Sequence, residues 1–278
     1  MQTYIARRIL FGVVTLVGLS LLVSGMVRLI PGNAVTALAA DTGTGMSQAT
    51  LRSIEHQLGL DRPYPVQYWD WLTGIAHGDL GQSFLTGKSV GQQVRSTLPV
   101  TLEIAILSMV ITAVVGITIG VVSAARQDTF FDYAIRTLSI AWLAIPSFAI
   151  GTLIVLVLSV VFKWLPPFGF VSIRHNPLKN LEQVMFPVLI IGLQLSAVVA
   201  RFTRSATLEV MRDDYVRTAR AKGLTEWLVF RRHIVRNALL PVITVLGTQL
   251  GFLLGGAVIL ETVFALPGFG SLTVNAVQ

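Results

Sequence analysis

The sequence predicts an all-α protein, a bundle of helices that cross a membrane, and three observations predict it. Of 278 residues 53% are hydrophobic and only 13% charged, where a soluble domain carries about a quarter charged residues. Mean hydropathy is +0.72. Five stretches, 9–27, 100–125, 138–161, 184–200 and 239–260, are long and apolar enough to cross a bilayer, which takes about 20 apolar residues and no fewer than about 17. Strands would leave backbone groups unpaired in lipid, so these stretches are expected as helices. The fourth is the shortest and contains Pro187, and Pro146 in the third is expected to kink it by removing a helical hydrogen bond.

The first stretch follows Arg7 and Arg8 and resembles a secretion signal. It is longer than a signal peptide's apolar core, and the Ala37-Leu38-Ala39 sequence lies well beyond its end, so it is expected to stay as a span. With a cytoplasmic N-terminus, the inside segments 1–8, 126–137 and 201–238 hold 13 Lys/Arg against 6 Asp/Glu. The remainder holds 8 of each, so the whole net charge of +7 lies inside, as the positive-inside rule expects. Nucleic acid is therefore not expected as a partner. Three parts follow: the N-terminal helix 1–27, an extracytoplasmic subdomain 28–99, and a membrane core 100–278 with a cytoplasmic loop at 201–238. The outer segment is expected to hold a helix near 47–58 and an interfacial aromatic group of Tyr64, Tyr68, Trp69 and Trp71.

Candidate chemistry is sparse. There are no cysteines, so disulfides and thiolate metal sites are absent, and no metal site is expected. The stretch Gly81 to Ser89, "GQSFLTGKS", has five residues between its glycines where the phosphate-binding loop has four, and no buried strand precedes it. No nucleotide site or cofactor is expected in this chain. Apart from Glu103 and Glu261 at their outer ends, the spans carry no Asp, Glu, Lys, Arg or His, which argues against catalysis at depth and against an ion-coupled carrier. Gly18-x-Ser20 vaguely suggests a nucleophile but has no histidine at matching depth. Gln194 and Gln249 are candidates to line a solute path, with an interhelical hydrogen bond of about 1 kcal/mol as the plainer expectation. Gly247, Gly251 and Gly255 form a flat stripe on the fifth span against which another backbone can pack, from this chain or another.

The most charged stretch is "DYVRTARAKGLTEWLVFRRH", residues 214–233. Asp213 or Asp214 can cap a helix over 215–222, with Arg220 and Lys222 favourable in its last turn and Gly223 suited to the left-handed residue after it. Two turns are marginal alone in water. This helix is expected to lack a partner in its own chain and to present Tyr215, Ala219 and Ala221 to a groove elsewhere. A second helix is expected from Thr225, with Trp227, Phe230 and Ile234 on the inner membrane surface and Arg231, Arg232 and Arg236 facing headgroups or acidic residues of a partner. On these grounds alone, a basic loop anchored on lipid is favoured over a docking helix.

The segments "DYVRTARAKGL", "RHIVRNALLPVITVLGTQLG" and "GGAVILETVFALPGFG" closely resemble the membrane-spanning permease subunits of ABC importers for peptides and nickel. So do "RRILFGVVTLVGLSLLV", "RLIPGNA", "LGLDRPYPVQYWDWL", "GDLGQS" and "IPSF", in the same order along nearly the whole chain. The resemblance is to the oligopeptide/dipeptide subunit with the long first loop. It implies the type I ABC importer fold and six spans where five are read here; the sixth is either a segment following Gln278, the favoured reading, or a true departure from the family. It aligns Arg217-Thr218-Ala219 with the family's E-A-A triplet, with Arg at the usual Glu, and Gly223 with its closing glycine. Asp214, Tyr215, Arg217, Thr218, Ala219, Arg220, Ala221, Lys222 and Gly223 are then the coupling segment seated in an ATPase cleft. The implied partners are a second permease, two ATPase subunits or a fused ATPase that carry ATP and magnesium, and an extracytoplasmic solute-binding protein. The implied cargo is a di- or oligopeptide, or alternatively nickel or another small solute; a non-transporting scaffold is the reading from a different class. Replacing Gly223 with Pro, or Ala219 with Trp, is expected to uncouple uptake while leaving folding intact.

Overall fold

The structure, a computed structural model, describes residues 1–29, 52, 53, 55, 56, 59–83 and 86–276. The Ala37-Leu38-Ala39 sequence lies outside these residues, as does the Pro31-Gly32 pair, which the sequence offers as a turn signal. Of the helix expected near 47–58, Arg52, Ser53, Glu55 and His56 are described, and all four are helical. The chain divides into two compact units, Met1–Gln93 and Val94–Gln278.

In the first unit, helix α1 (Gln2–Leu29) leaves Ile9, Leu16 and Leu22 exposed, as a helix surrounded by lipid does. Helix α2 (Tyr64–Ala76) follows Pro63, whose fixed φ suits a helix start. Its aromatic residues tie it to α1: Tyr68 and Ser20 share a hydrogen bond of 2.8 Å, and Tyr64 donates to the Leu21 carbonyl at 3.1 Å. Ser20 is thus held by a tyrosine, and its hydroxyl also donates to the Val17 carbonyl. Within the Gly81–Ser89 stretch an antiparallel bridge joins Gln82 to Ser89.

The rest of the chain is built of helices and connecting loops, with no strand among its described residues. Helices α3 (Val90–Ala125), α4 (Phe130–Ala144), α5 (Ser147–Val160) and α6 (Pro177–Met211) precede a short helix α7 (Asp214–Ala221). One helical turn, Glu226–Leu228, then leads into a π-helical segment, Val229–Val235, and on into α8 (Arg236–Gly256), α9 (Val258–Val263) and α10 (Phe269–Asn275). Four helical runs are long and apolar enough to span a membrane: α1, α3, α6 and the run containing α8. The pair α4 and α5 makes a fifth if it counts as one span. Pro187 does not shorten the fourth span, since α6 runs for 35 residues straight through it.

The third span is broken rather than kinked. Helices α4 and α5 meet at 87°, and Pro146 is the cap of α5 instead of an interior residue. The proline has no N–H to continue the ladder, and it pushes the preceding Ile145 into an extended conformation (φ −90°, ψ 122°). That leaves the Ile145 carbonyl without a helical donor, and Gln194 on α6 donates to it at 3.1 Å. The plainer expectation for Gln194 therefore describes its side chain.

Helices α3 and α6 pack closely, on glycines other than the predicted stripe. A Cβ on Gly116 would lie 2.8 Å from Val199 Cβ, and one on Gly192 2.9 Å from Ile111 Cβ. Ser108 and Thr112 donate across the contact to the carbonyls of Val188 and Gly192. In lipid, helices associate by such close backbone approach and by interhelical hydrogen bonds. By contrast, Gly247, Gly251 and Gly255 have open space where a side chain would stand. A Cβ on Gly120 would stand 2.5 Å from Thr203 Cβ and 2.6 Å from the Ala200 carbonyl oxygen. Gly120→Val is therefore expected to cost about 1–3 kcal/mol by overpacking, read as a lowered melting temperature of the detergent-solubilised protein. Gly251→Ala should leave that temperature unchanged.

Two buried carboxylates pin helix ends together. Asp132, at the start of α4, accepts from Arg204 of α6 through its Nε (2.8 Å) and Nη2 (2.6 Å) and from the Ser123 hydroxyl of α3 at 2.5 Å. Glu261, on α9, accepts from the Thr101 hydroxyl at 2.5 Å and from the Ser271 N–H at 2.9 Å, and Thr101 in turn accepts from the Phe269 N–H. Both acidic residues are fully buried.

Candidate functional site

Helix α7 lies between the end of α6 and the π-helical segment, and sequence and structure agree on its length to within a residue at each end. Gly223 does adopt the left-handed conformation, at φ +78°, which glycine reaches at no steric cost. Asp213 occupies the cap position, but its side chain makes no capping hydrogen bond. Asp214 instead sits in the first turn, where a carboxylate is favoured by the helix dipole.

The expectation that α7 has no partner in its own chain is overturned. Val216 and Ala219 are buried in an apolar cluster with Val229 and Ile234 of the π-helical segment, flanked by Val210, Met211, Leu224 and Phe230. Polar contacts fasten both ends. Tyr215 donates to the His233 carbonyl at 3.3 Å and accepts from the Asn237 amide at 3.0 Å. Arg220 makes a two-pronged pair with Glu226, at 2.9 and 3.3 Å. The second helix begins after Thr225 as predicted, but Ile234 points into this cluster while Trp227 is exposed. The predicted membrane-facing row of Trp227, Phe230 and Ile234 is therefore split. The cause is the π-helical geometry, whose i→i+5 hydrogen bonds break the 3.6-residue period.

What α7 presents outward is a different set from the one predicted. Asp214, Arg217, Thr218 and Ala221 share the exposed face, Arg220, Lys222 and Gly223 are exposed at its end, and Tyr215 is partly exposed. Ala219 faces inward, so a tryptophan there would split the helix from its support. Proline at position 223 cannot reach the positive φ. Neither substitution separates coupling from folding. Val229, Glu226 and Asn237 are residues of this site that sequence reading missed, and Ile234 is one that it placed on the membrane surface instead. The spacing of Val216 and Ala219, three apart on one face, was the available signal.

Of the polar candidates in the spans, Gln194 is occupied by the broken helix, and Gln249, half-buried, has no hydrogen-bond partner among the described residues. Among the described residues no group of three His, Cys, Asp or Glu side chains is placed to hold a metal ion.

A polytopic helical membrane protein with a small helix braced on a basic loop is the class this geometry defines. Residues 116–278 match the family described as the inner membrane component of binding-protein-dependent transport systems, and residues 1–105 match the N-terminal region of such membrane components. The chain belongs to this family. It is 39% identical over 277 residues to a protein of Brucella suis biovar 1 named as a peptide transport system permease, covering 100% of this chain and 87% of that one. It is 38% identical over 278 residues to the glutathione transport system permease GsiC of Pectobacterium atrosepticum, with the same coverage. Among solved structures it is similar to an amino acid ABC transporter crystallised with histidines (16% identity, TM-score 0.49, 74% of this chain and 81% of that one).

Proposed function

We propose that this chain is the permease subunit of an ATP-driven importer of short peptides. In this reading it forms the translocation pathway with a second permease, with its N-terminus and basic loop in the cytoplasm. The exposed face of α7, Asp214, Arg217, Thr218 and Ala221, seats in a cleft of an ATPase subunit, and ATP with magnesium is bound and hydrolysed there rather than in this chain. An extracytoplasmic binding protein delivers the solute. Peptide cargo is supported by relatives that span the whole chain and are named for peptide and glutathione transport. The unpartnered Gln249 is a pathway residue in this reading, and the open stripe of Gly247, Gly251 and Gly255 packs against the second permease.

The observation that carries the coupling role is the division of α7 into a face bound to its own chain and a face left bare. Ala221→Trp adds bulk only to the bare face. It is expected to leave the melting temperature unchanged and to weaken ATPase docking by about 2 kcal/mol, roughly 30-fold, with peptide uptake lost in proportion. Uptake and ATPase co-purification at the level of the unaltered protein would sink the proposal.

A further inference from the structure

No residue of α7 lines the groove between the end of α3 and the π-helical segment. It has a volume of about 530 Å³ and is lined by Val121, Val122, Arg126, Trp227, Arg231 and Val235, with Ala125 and Phe230 completing the wall. Its floor is aliphatic and continues the apolar surface of a spanning helix. Its rim carries two guanidinium groups, and no carboxylate lines it. Neither Arg126 nor Arg231 makes an ion pair with a described residue. Arg126 is held in place by the Phe131 ring, whose centre lies 5.0 Å from its guanidinium carbon. Trp227 is 71% exposed at the edge, an amphipathic ring of the kind that settles at the headgroup level of a bilayer.

We propose that this groove is a binding site for one anionic phospholipid. The phosphate sits between Arg126 and Arg231, Trp227 lies against the glycerol region, and an acyl chain runs over Val121, Val122 and Val235. The charge complementarity is specific: two cations without counter-ions among the described residues stand over an apolar floor, which fits a ligand that is anionic at one end and hydrocarbon at the other. A protein partner fits less well, because the floor would have to be covered by an apolar segment carrying its own acid. The placement in the inner leaflet rests on the orientation proposed above. The binding itself does not, and neither ATPase docking nor uptake enters the measurement.

The full chain is purified from membranes and returned to bilayers of phosphatidylcholine alone or of phosphatidylcholine and phosphatidylglycerol in equal parts. Bound lipid is counted by native mass spectrometry, and the melting temperature is followed in parallel. Phosphatidylglycerol is expected to be retained preferentially and to raise the melting temperature. Arg126→Gln with Arg231→Gln should lower retention by about 30-fold, since each basic residue near a membrane surface contributes about 1 kcal/mol. Arg126→Lys with Arg231→Lys should restore much of it. If the double glutamine variant fails to fold, Arg231→Gln alone at its exposed position and the lipid comparison on the unaltered chain decide. Equal retention of phosphatidylcholine would overturn the proposal in favour of a merely apolar groove. Equal stabilisation by inorganic phosphate would overturn it in favour of a simple anion site. Unchanged lipid retention in the glutamine variant would overturn it as well.

Discussion

Asp132→Ala is expected to destabilise the protein by about 3–5 kcal/mol, because it leaves a buried guanidinium with no counter-charge. Arg204 has only 18% of its side chain exposed and spends two of its donors on this one carboxylate, which is itself fully buried. The loss would be felt in three helices at once, since Ser123 of α3 and Arg204 of α6 both reach Asp132 at the start of α4. Asp132→Asn keeps the shape and one acceptor, and should fall between the alanine variant and the parent. Arg204→Lys replaces a planar fork by a point charge and should not restore the pair fully. Thermal melts of the three variants in detergent test the order, and a melting temperature for Asp132→Ala within a degree or so of the parent would refute the account.

Glu261→Ala is the second large effect, expected at about 3 kcal/mol or more. Two donors, the Thr101 hydroxyl and the Ser271 N–H, would be left unsatisfied in a buried site, at about 1–3 kcal/mol each. The chain around it is shaped for this carboxylate. A Cβ on Gly268 would overlap the Glu261 carboxylate, and one on Gly270 would come within 2.5 Å of Val258. Gly268→Ala should therefore reproduce much of the loss by expelling the carboxylate instead of removing it. Because Ser271 and Phe269 lie in α10, both variants should loosen that helix first, which limited proteolysis near residue 270 would report before global unfolding. Protection of α10 equal to that of the parent would count against this arrangement.

The difference between what could and could not be read in the sequence follows from what each signal specifies. Apolar length identifies a span because lipid imposes it locally, and so the run over α3 and the spanning part of α6 are legible. Pro146 was legible as a disturbance. Its consequence depended on whether a neighbour could satisfy the freed carbonyl, and Gln194, 49 residues away in sequence, supplies that donor. Glycine spacing marks a flat stripe but does not say which helix arrives on it. The same four-residue interval occurs at Gly116 and Gly120, where α6 does arrive, and at Gly247, Gly251 and Gly255, where none of the described residues does. In the basic loop, Gly223 was readable because its conformation is a property of one residue. The bracing of α7 was not, because Val229 and Ile234 are brought to Val216 and Ala219 by a π-helical segment, and period-3.6 reading places them on the wrong faces.

That bracing changes how α7 would carry a load. A short helix on a slack tether would swing when pushed, and most of the push would be spent taking up play in the tether. Here the Tyr215 and Asn237 fastening at one end, the Arg220 and Glu226 clip at the other and the apolar rivets between them make α7 a bracket bolted to the root of α8. In the coupling role proposed above, a push on its outer face would reach α8 as torque with little backlash, and the stiffness of the joint would set how far the far end of that helix turns.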